Sequence, residues 1–204
     1  PRLRELITSG SWPALQDSFW ERIPFGTAGR RGPMGELGTA TINDRTIGES
    51  AQGLADYLRS LRAATGESDE LRCAIAYDTR HNSRHFAELC AEIMVASGFH
   101  VFFFDGFRPT PELALTVRAR HCDCGIMISA SHNPPSDNAV KVYWCHGEQL
   151  LPPHDKGVID AVGRVEGIQK LPFAEAVSQG KVVLCQQEVD AAYNQAVLAQ
   201  STPG

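Results

Sequence analysis

The sequence predicts an α/β fold: a mixed, mostly parallel sheet covered by helices on both faces. Three observations predict it. Short apolar runs, "LRCAIAYDT" at 71–79, "HVFFFD" at 100–105 and "CGIMIS" at 124–129, read as buried strands. Segments with helical spacing separate them. Strand–helix–strand–helix–strand implies right-handed crossovers between parallel strands. Finally, "AVKVYW" at 139–144 follows "CGIMIS" too closely for a helical crossover, so a hairpin-like return is expected and the sheet is mixed.

The elements follow in order. Ser11-Trp12-Pro13 resembles an N-cap with proline in the first turn, opening a short helix through Phe19 and Trp20. Residues 25–40 are rich in glycine and lack helical period, so they form a loop or loops around a short strand. Ile47, Ala51, Leu54, Leu58 and Leu61 recur at helical spacing, predicting a helix from about Thr46 to Ala64 capped by Asn43 or Asp44. Residues 83–98 form the next helix, with Gly98 as its stop. Thr110-Pro111-Glu112 opens a helix to about Arg120, and residues 152–165 form another. "KVVLC" at 181–185 is a short strand, and 188–200 is helical in pattern. The main domain is expected over 1–185, with 186–204 starting a linker or second domain that breaks off. Pro1 in place of Met is read as a trimmed N-terminus.

The chain has 204 residues, enough for one sizeable core. A net charge of −5 gives no support for a nucleic-acid or membrane-surface partner. No apolar run approaches the ~18 residues of a membrane-spanning helix, and no signal-peptide pattern is seen. A cytoplasmic location is expected. Six cysteines lie within apolar segments and read as reduced and partly buried. The rival reading is a metal-dependent hydrolase using Cys122, Cys124, Cys145 and His146. No second closely spaced pair completes a zinc pattern.

In such sheets, sites gather at the carboxyl ends of strands. Three loops lie there: Asp78-Thr79-Arg80, Asp105 to Thr110, and Ser129 to Asn138. The third holds Ser131 and His132 ahead of Asn133-Pro134-Pro135. The prolines fix φ and restrict Asn133, so a stiff loop can present Ser131 outward. That suits a serine that accepts and donates a group, although a turn with a capping serine fits as well. A serine-hydrolase elbow, G-x-S-x-G, is absent. Gly26, Gly29 and Gly32 with Arg30 and Arg31 offer a backbone and cations suited to phosphate. Lys141, on the returning strand, faces either the same site or the opposite face.

"SASHNP" at 129–134 closely resembles the T-A-S-H-N-P loop of the α-D-phosphohexomutases, with Ser129 in place of threonine. "FGTAGRRG" resembles that family's F-G-T-S-G-x-R-G, which gives Arg31 the matching arginine. "YDTR" at 77–80 is similar to its D-x-R element, and "DNAVKVYW" to its D-N-G-x-K segment with Ala139 in place of glycine. The resemblance spans most of residues 25–160. "FGTAG", "KVYW" and "PHDKG" bring it nearest the phosphoglucomutase/phosphopentomutase branch.

The resemblance implies the fold of the family's first domain and a phosphosugar mutase. Ser131 would carry the phosphoryl group between the 1 and 6 (or 1 and 5) positions of a sugar phosphate through a bisphosphate. His132, Lys141 and Arg31 would assist, the general base being unassigned. Thr27, Arg30, Asn133, Asp78 and Arg80 are expected to bind substrate or phosphate. Mg²⁺ would be held by the phosphate on Ser131, and a glucose 1,6-bisphosphate type of primer would load it. Family members have four domains, so the C-terminal domains of the same chain are expected partners and this part alone is expected to be inactive. A non-catalytic sugar-phosphate-binding module stays open as the alternative.

Overall fold

The computed structural model describes residues 2–26, 28–66, 69–185 and 187–201. The elements run α1 (Arg2–Thr8), α2 (Trp12–Phe19), β1 (Gly29–Pro33), α3 (Asp44–Thr65), β2 (Leu71–Tyr77), α4 (Ser83–Ala96) and β3 (Phe99–Phe104). Then come α5 (Thr110–Ala119), β4 (Cys124–Ile128), β5 (Asp137–Trp144), α6 (His154–Gly163), α7 (Phe173–Ser178), β6 (Val182–Cys185) and α8 (Gln187–Leu198). The strands form one sheet in the order β1-β5-β4-β2-β3-β6. β2 pairs in parallel with β3 and β4, and β3 with β6. β5 is antiparallel to both β4 and β1. The mixed sheet expected from the short β4–β5 link is therefore present.

Alternation along the strands divides the core in two. On β2, Cys73, Ile75 and Tyr77 face the larger cluster, which α3, α4, α6 and α7 cover; Ala74 and Ala76 face the smaller one, under α5 and α8. Small side chains on that second face let α5 sit close: a Cβ on Gly125 would come 2.7 Å from Val117 Cγ2. The cysteines divide in the same way. Cys73, Cys90 and Cys124 lie in the larger cluster, Cys122 and Cys185 in the smaller. All six are free thiols. Burial pushes Cys90 up to about 12 and Cys185 to about 11, so neither is a ready thiolate.

α3 is closed by a reciprocal cap. The Asn43 side chain accepts from the backbone N–H of Arg45 and Thr46, and the Asn43 N–H donates to Thr46 Oγ1. Gly66, at φ +71°, ends the helix in the left-handed conformation. α1 and α7 were not anticipated; both are too short to show a helical period. The boundary expected at residue 186 falls outside the described residues. α8 beyond it is anchored by Val189, the one buried side chain among its described residues. Among the described residues no helix is long and apolar enough to cross a membrane.

Candidate functional site

Three strands bring the site together. β4 ends at Ile128, and the chain turns through Ser129–Ser136 before returning as β5. Ser131 sits in that turn at φ +58°, a left-handed conformation uncommon for a residue with a side chain. It is fixed from both sides. Its N–H donates to Ser129 Oγ at 3.0 Å, and its carbonyl accepts from Arg80 at 2.8 Å. Ser131 is exposed and lines two clefts. One, of about 360 Å³, is bounded by Gly26, Gly29, Arg31, Lys141 and Gln149. The other, of about 330 Å³, is bounded by Asp78, Thr79, Arg80, His81 and Pro135, at the carboxyl ends of β2 and β4.

Strand register explains which cations reach the first cleft. Arg31 on β1 lies opposite Ala139 on β5, and Gly29 opposite Lys141. Opposed residues share a face, so Arg31 and Lys141 are diagonal neighbours on the same side of the sheet. Gly29 permits the approach. At φ +143° a Cβ there would lie 1.9 Å from the Val140 carbonyl oxygen. The Lys141 ammonium is pushed below its ordinary value by partial burial and then by the nearby Arg31 and Arg80, against the pull of Asp78. Arg31 is exposed and donates to Asn133 Oδ1 at 3.3 Å. Asn133 in turn donates to Asp137 Oδ2 at 2.9 Å.

Arg30, expected beside the phosphate, turns the other way, because alternate residues of a strand point to opposite faces. Its side chain is 2% exposed; it donates to the Thr46 carbonyl at 2.8 Å and to Glu49 at 3.1 Å. The expected phosphate contact is thus corrected to a buried ion pair with α3. Burial works against the charge of Glu49, but hydrogen bonds from Arg45 and Arg30 outweigh it and hold the carboxyl below its usual range.

Arg80 and Asp78 line the second cleft and are engaged with the serine loop. The Arg80 guanidinium donates to three loop carbonyls, Pro134 at 2.7 Å, Ser131 at 2.8 Å and Asn133 at 2.6 Å, and to that of Asp137 at the start of β5, at 3.1 Å. Its Nε lies 3.5 Å from Asp78 Oδ2. Asp78 Oδ1 accepts from the Arg80 N–H at 3.0 Å and from Ser83 Oγ at 2.7 Å. His132 is exposed beside Ser131, outside the residues that line either cleft. Thr27 lies outside the described residues.

Three side chains to which no sequence motif gives a role also shape the site. Ser129 Oγ is the acceptor for the Ser131 N–H, a contact that its hydroxyl made legible. Asn138, fully buried, donates to the His81 carbonyl and to Ser83 Oγ, joining β5 to the start of α4. Gln149 reaches the cleft only because of its antiparallel bridge with Tyr143, which no local pattern signals.

Among the described residues no three His, Cys, Asp or Glu side chains stand close enough to hold a metal ion. Cys122 and Cys124, proposed together as zinc ligands in the rival reading, belong to different core clusters.

Comparison with known proteins agrees with this fold. The sequence model described as phosphoglucomutase/phosphomannomutase, alpha/beta/alpha domain I, matches residues 22–167. Phosphopentomutase of Mus musculus is 38% identical over 78% of this chain and 26% of its own length. Phosphoglucomutase of Staphylococcus saprophyticus is 35% identical over 86% of this chain and 31% of its own. A crystal structure from Thermus thermophilus, provisionally named a phosphomannomutase, superposes with a TM-score of 0.61 at 26% identity, over 70% of this chain and 30% of that one. The chain thus spans between a quarter and a third of the length of these relatives. With the match running from β1 through β5 and across the Ser131 loop, this chain belongs to the phosphoglucomutase/phosphomannomutase family through its α/β/α domain I.

Proposed function

We propose that this chain is the phosphoryl-carrying part of a longer phosphosugar mutase and that Ser131 is the carrier. The observation that supports this most is the Ser131 loop: a serine held at φ +58° on a cleft that Arg31 and Lys141 share. A phosphate on Ser131 Oγ would meet two cations supplied by strands, which are more rigid than loops. Arg31 suits two phosphate oxygens at once through its planar fork, and Lys141 supplies a compact charge.

In the forward half-reaction a sugar hydroxyl oxygen attacks phosphorus. The O–P bond to the sugar forms, the bond to Ser131 Oγ breaks, and the hydroxyl proton passes to a base. The bisphosphorylated sugar then presents its other phosphate, and the reverse transfer restores phosphoserine. Arg31 and Lys141 stabilise charge on the transferring group. His132 and Lys141 are the candidates for the proton, and burial of Lys141 lowers the cost of its neutral form. Asn133 steers Arg31 toward the loop. Any divalent cation would take one oxygen here, from the phosphate on Ser131, with its other ligands outside this chain. The substrate is a hexose or pentose phosphate, and a sugar bisphosphate primer loads Ser131.

The longer enzyme is incubated with glucose 1,6-bisphosphate and its peptides are weighed. Phosphate is expected on Ser131, and Ser131→Ala should abolish conversion of glucose 1-phosphate and of a pentose 1-phosphate. Phosphate on Ser129 alone would reject the assignment. Binding of sugar phosphate without phosphorylation would instead favour the non-catalytic binding module. The 204-residue chain by itself should fold and give no sustained turnover.

A further inference from the structure

We propose that Arg80 is a positioning residue that sets the conformation of the phosphoacceptor serine, rather than a ligand for phosphate. This rests on the reading of Ser131 as the carrier. The turn after β4 has left the sheet, so its carbonyls have no ladder partners. Those of Ser131, Asn133 and Pro134 instead converge on one guanidinium at 2.6–2.8 Å, joined by that of Asp137, the first residue of β5, at 3.1 Å. Four carbonyl dipoles aimed at one point repel one another unless a cation stands among them. A guanidinium has five donors in a fixed fork, enough for four carbonyls with Nε still turned to Asp78. An ammonium has three, without that planarity.

The two peptide groups flanking Ser131 are the ones that set its φ and ψ. Ser129 Oγ holds the N–H of one, and Arg80 holds the carbonyl of the other. A left-handed serine is strained and persists only where its surroundings over-determine it. Arg80 and Ser129 are that over-determination. Asp78 aims Arg80 through its backbone N–H and Nε, and Ser83 ties Asp78 to α4. With its donors engaged in this way, Arg80 has none to turn toward a phosphate without releasing the loop.

Arg80→Lys and Arg80→Met in the longer enzyme test this by steady-state kinetics, intact-mass measurement of Ser131 phosphorylation, and amide hydrogen exchange. Both variants should lose about 100-fold in kcat, the scale of a small misplacement of a reacting group, with little change in KM. Amides of residues 131–137 should exchange about tenfold faster while the core strands stay protected. Recovery of the rate by lysine would overturn the proposal, because charge alone would then suffice. A raised KM with kcat unchanged would overturn it in favour of a substrate contact. A lower melting temperature with an unchanged rate per folded molecule would overturn it in favour of a purely structural role. If Arg80→Met does not fold, Ser129→Ala frees only the other flanking peptide. It should lower kcat in the same sense and speed exchange at Ser131, and no change in either would overturn the proposal. Absence of phosphate on wild-type Ser131 would sink the carrier reading, and the exchange comparison would still decide whether Arg80 holds the loop.

Discussion

Arg30 and Arg31 are consecutive on β1, yet the Arg30 guanidinium lies 3.1 Å from Glu49 in the interior while Arg31 is exposed and bonded to Asn133 of the serine loop. One residue of strand sends one of two identical side chains into the core and the other to the cleft. Arg30→Met should destabilise the domain toward the low end of about 3–5 kcal/mol, because buried Glu49 loses Arg30 and keeps only Arg45 as its partner. Arg30→Met with Glu49→Leu should recover most of that loss. Arg31→Met should melt near wild type and lose turnover, and Arg31→Lys should lose part of it. Urea denaturation and the rate per folded molecule separate the two arginines. Equal stability losses at both positions would contradict the division.

Gly29 lets β1 approach β5 at the register that sets Arg31 diagonally across from Lys141. Gly29→Ala should cost on the order of 1–3 kcal/mol from the backbone conformation alone, and more from the contact with Val140. Turnover should fall as well, because the cations move with the strand. Alanine tolerated with an unchanged melting temperature would refute this account of the strand pairing.

Lys141 should respond to the state of Ser131. In the unphosphorylated chain its folded pKa lies below 10.5, so the unfolded chain holds the proton to higher pH. Stability should therefore rise with pH from that lowered value up to 10.5. Lys141→Met should remove the slope and stabilise the domain below that window. Phosphate on Ser131 would add negative charge in the cleft and raise the Lys141 pKa. NMR titration of the lysine, with and without phosphoserine, should show an upward shift, and a downward one would mean that the two groups do not face each other.

Glu112 on α5, outside the residues that line either cleft, gives a second pH dependence. Burial, and then the neighbouring Asp190 carboxyl, push it up to about 7 from an ordinary 4.5, against the pull of Arg108. The folded state holds this proton between pH 4.5 and 7 while the unfolded state releases it. Stability should therefore fall as pH rises through that interval. Glu112→Gln should flatten the fall and raise the melting temperature at pH 8 by about 2–4 °C for each kcal/mol recovered. The Arg108–Asp190 contact, 3.0 Å between Nη2 and Oδ2, should keep α8 docked in that variant. Melting curves at about pH 5 to 8 for both proteins settle the sign.

The sequence by itself determined the sheet, its crossovers and the serine loop. Apolar runs such as Leu71–Tyr77 have one stable use in a chain of this length, which is burial between helices. The β4–β5 link is too short for any return but an antiparallel one. Pro134 and Pro135 stiffen the Ser131 loop through covalent geometry alone, so it too was legible. α1 and α7 were not, because helices of seven and six residues owe their form to what they pack on. Tertiary structure alone decided which way Arg30, Arg80 and Lys141 point. Side-chain direction on a strand follows from register, and register depends on the partner strand. That is why Arg30, adjacent to the matching arginine, belongs to the core. It is also why Arg80 binds loop carbonyls: those oxygens come from residues more than fifty positions away and converge only when β4 lies beside β2.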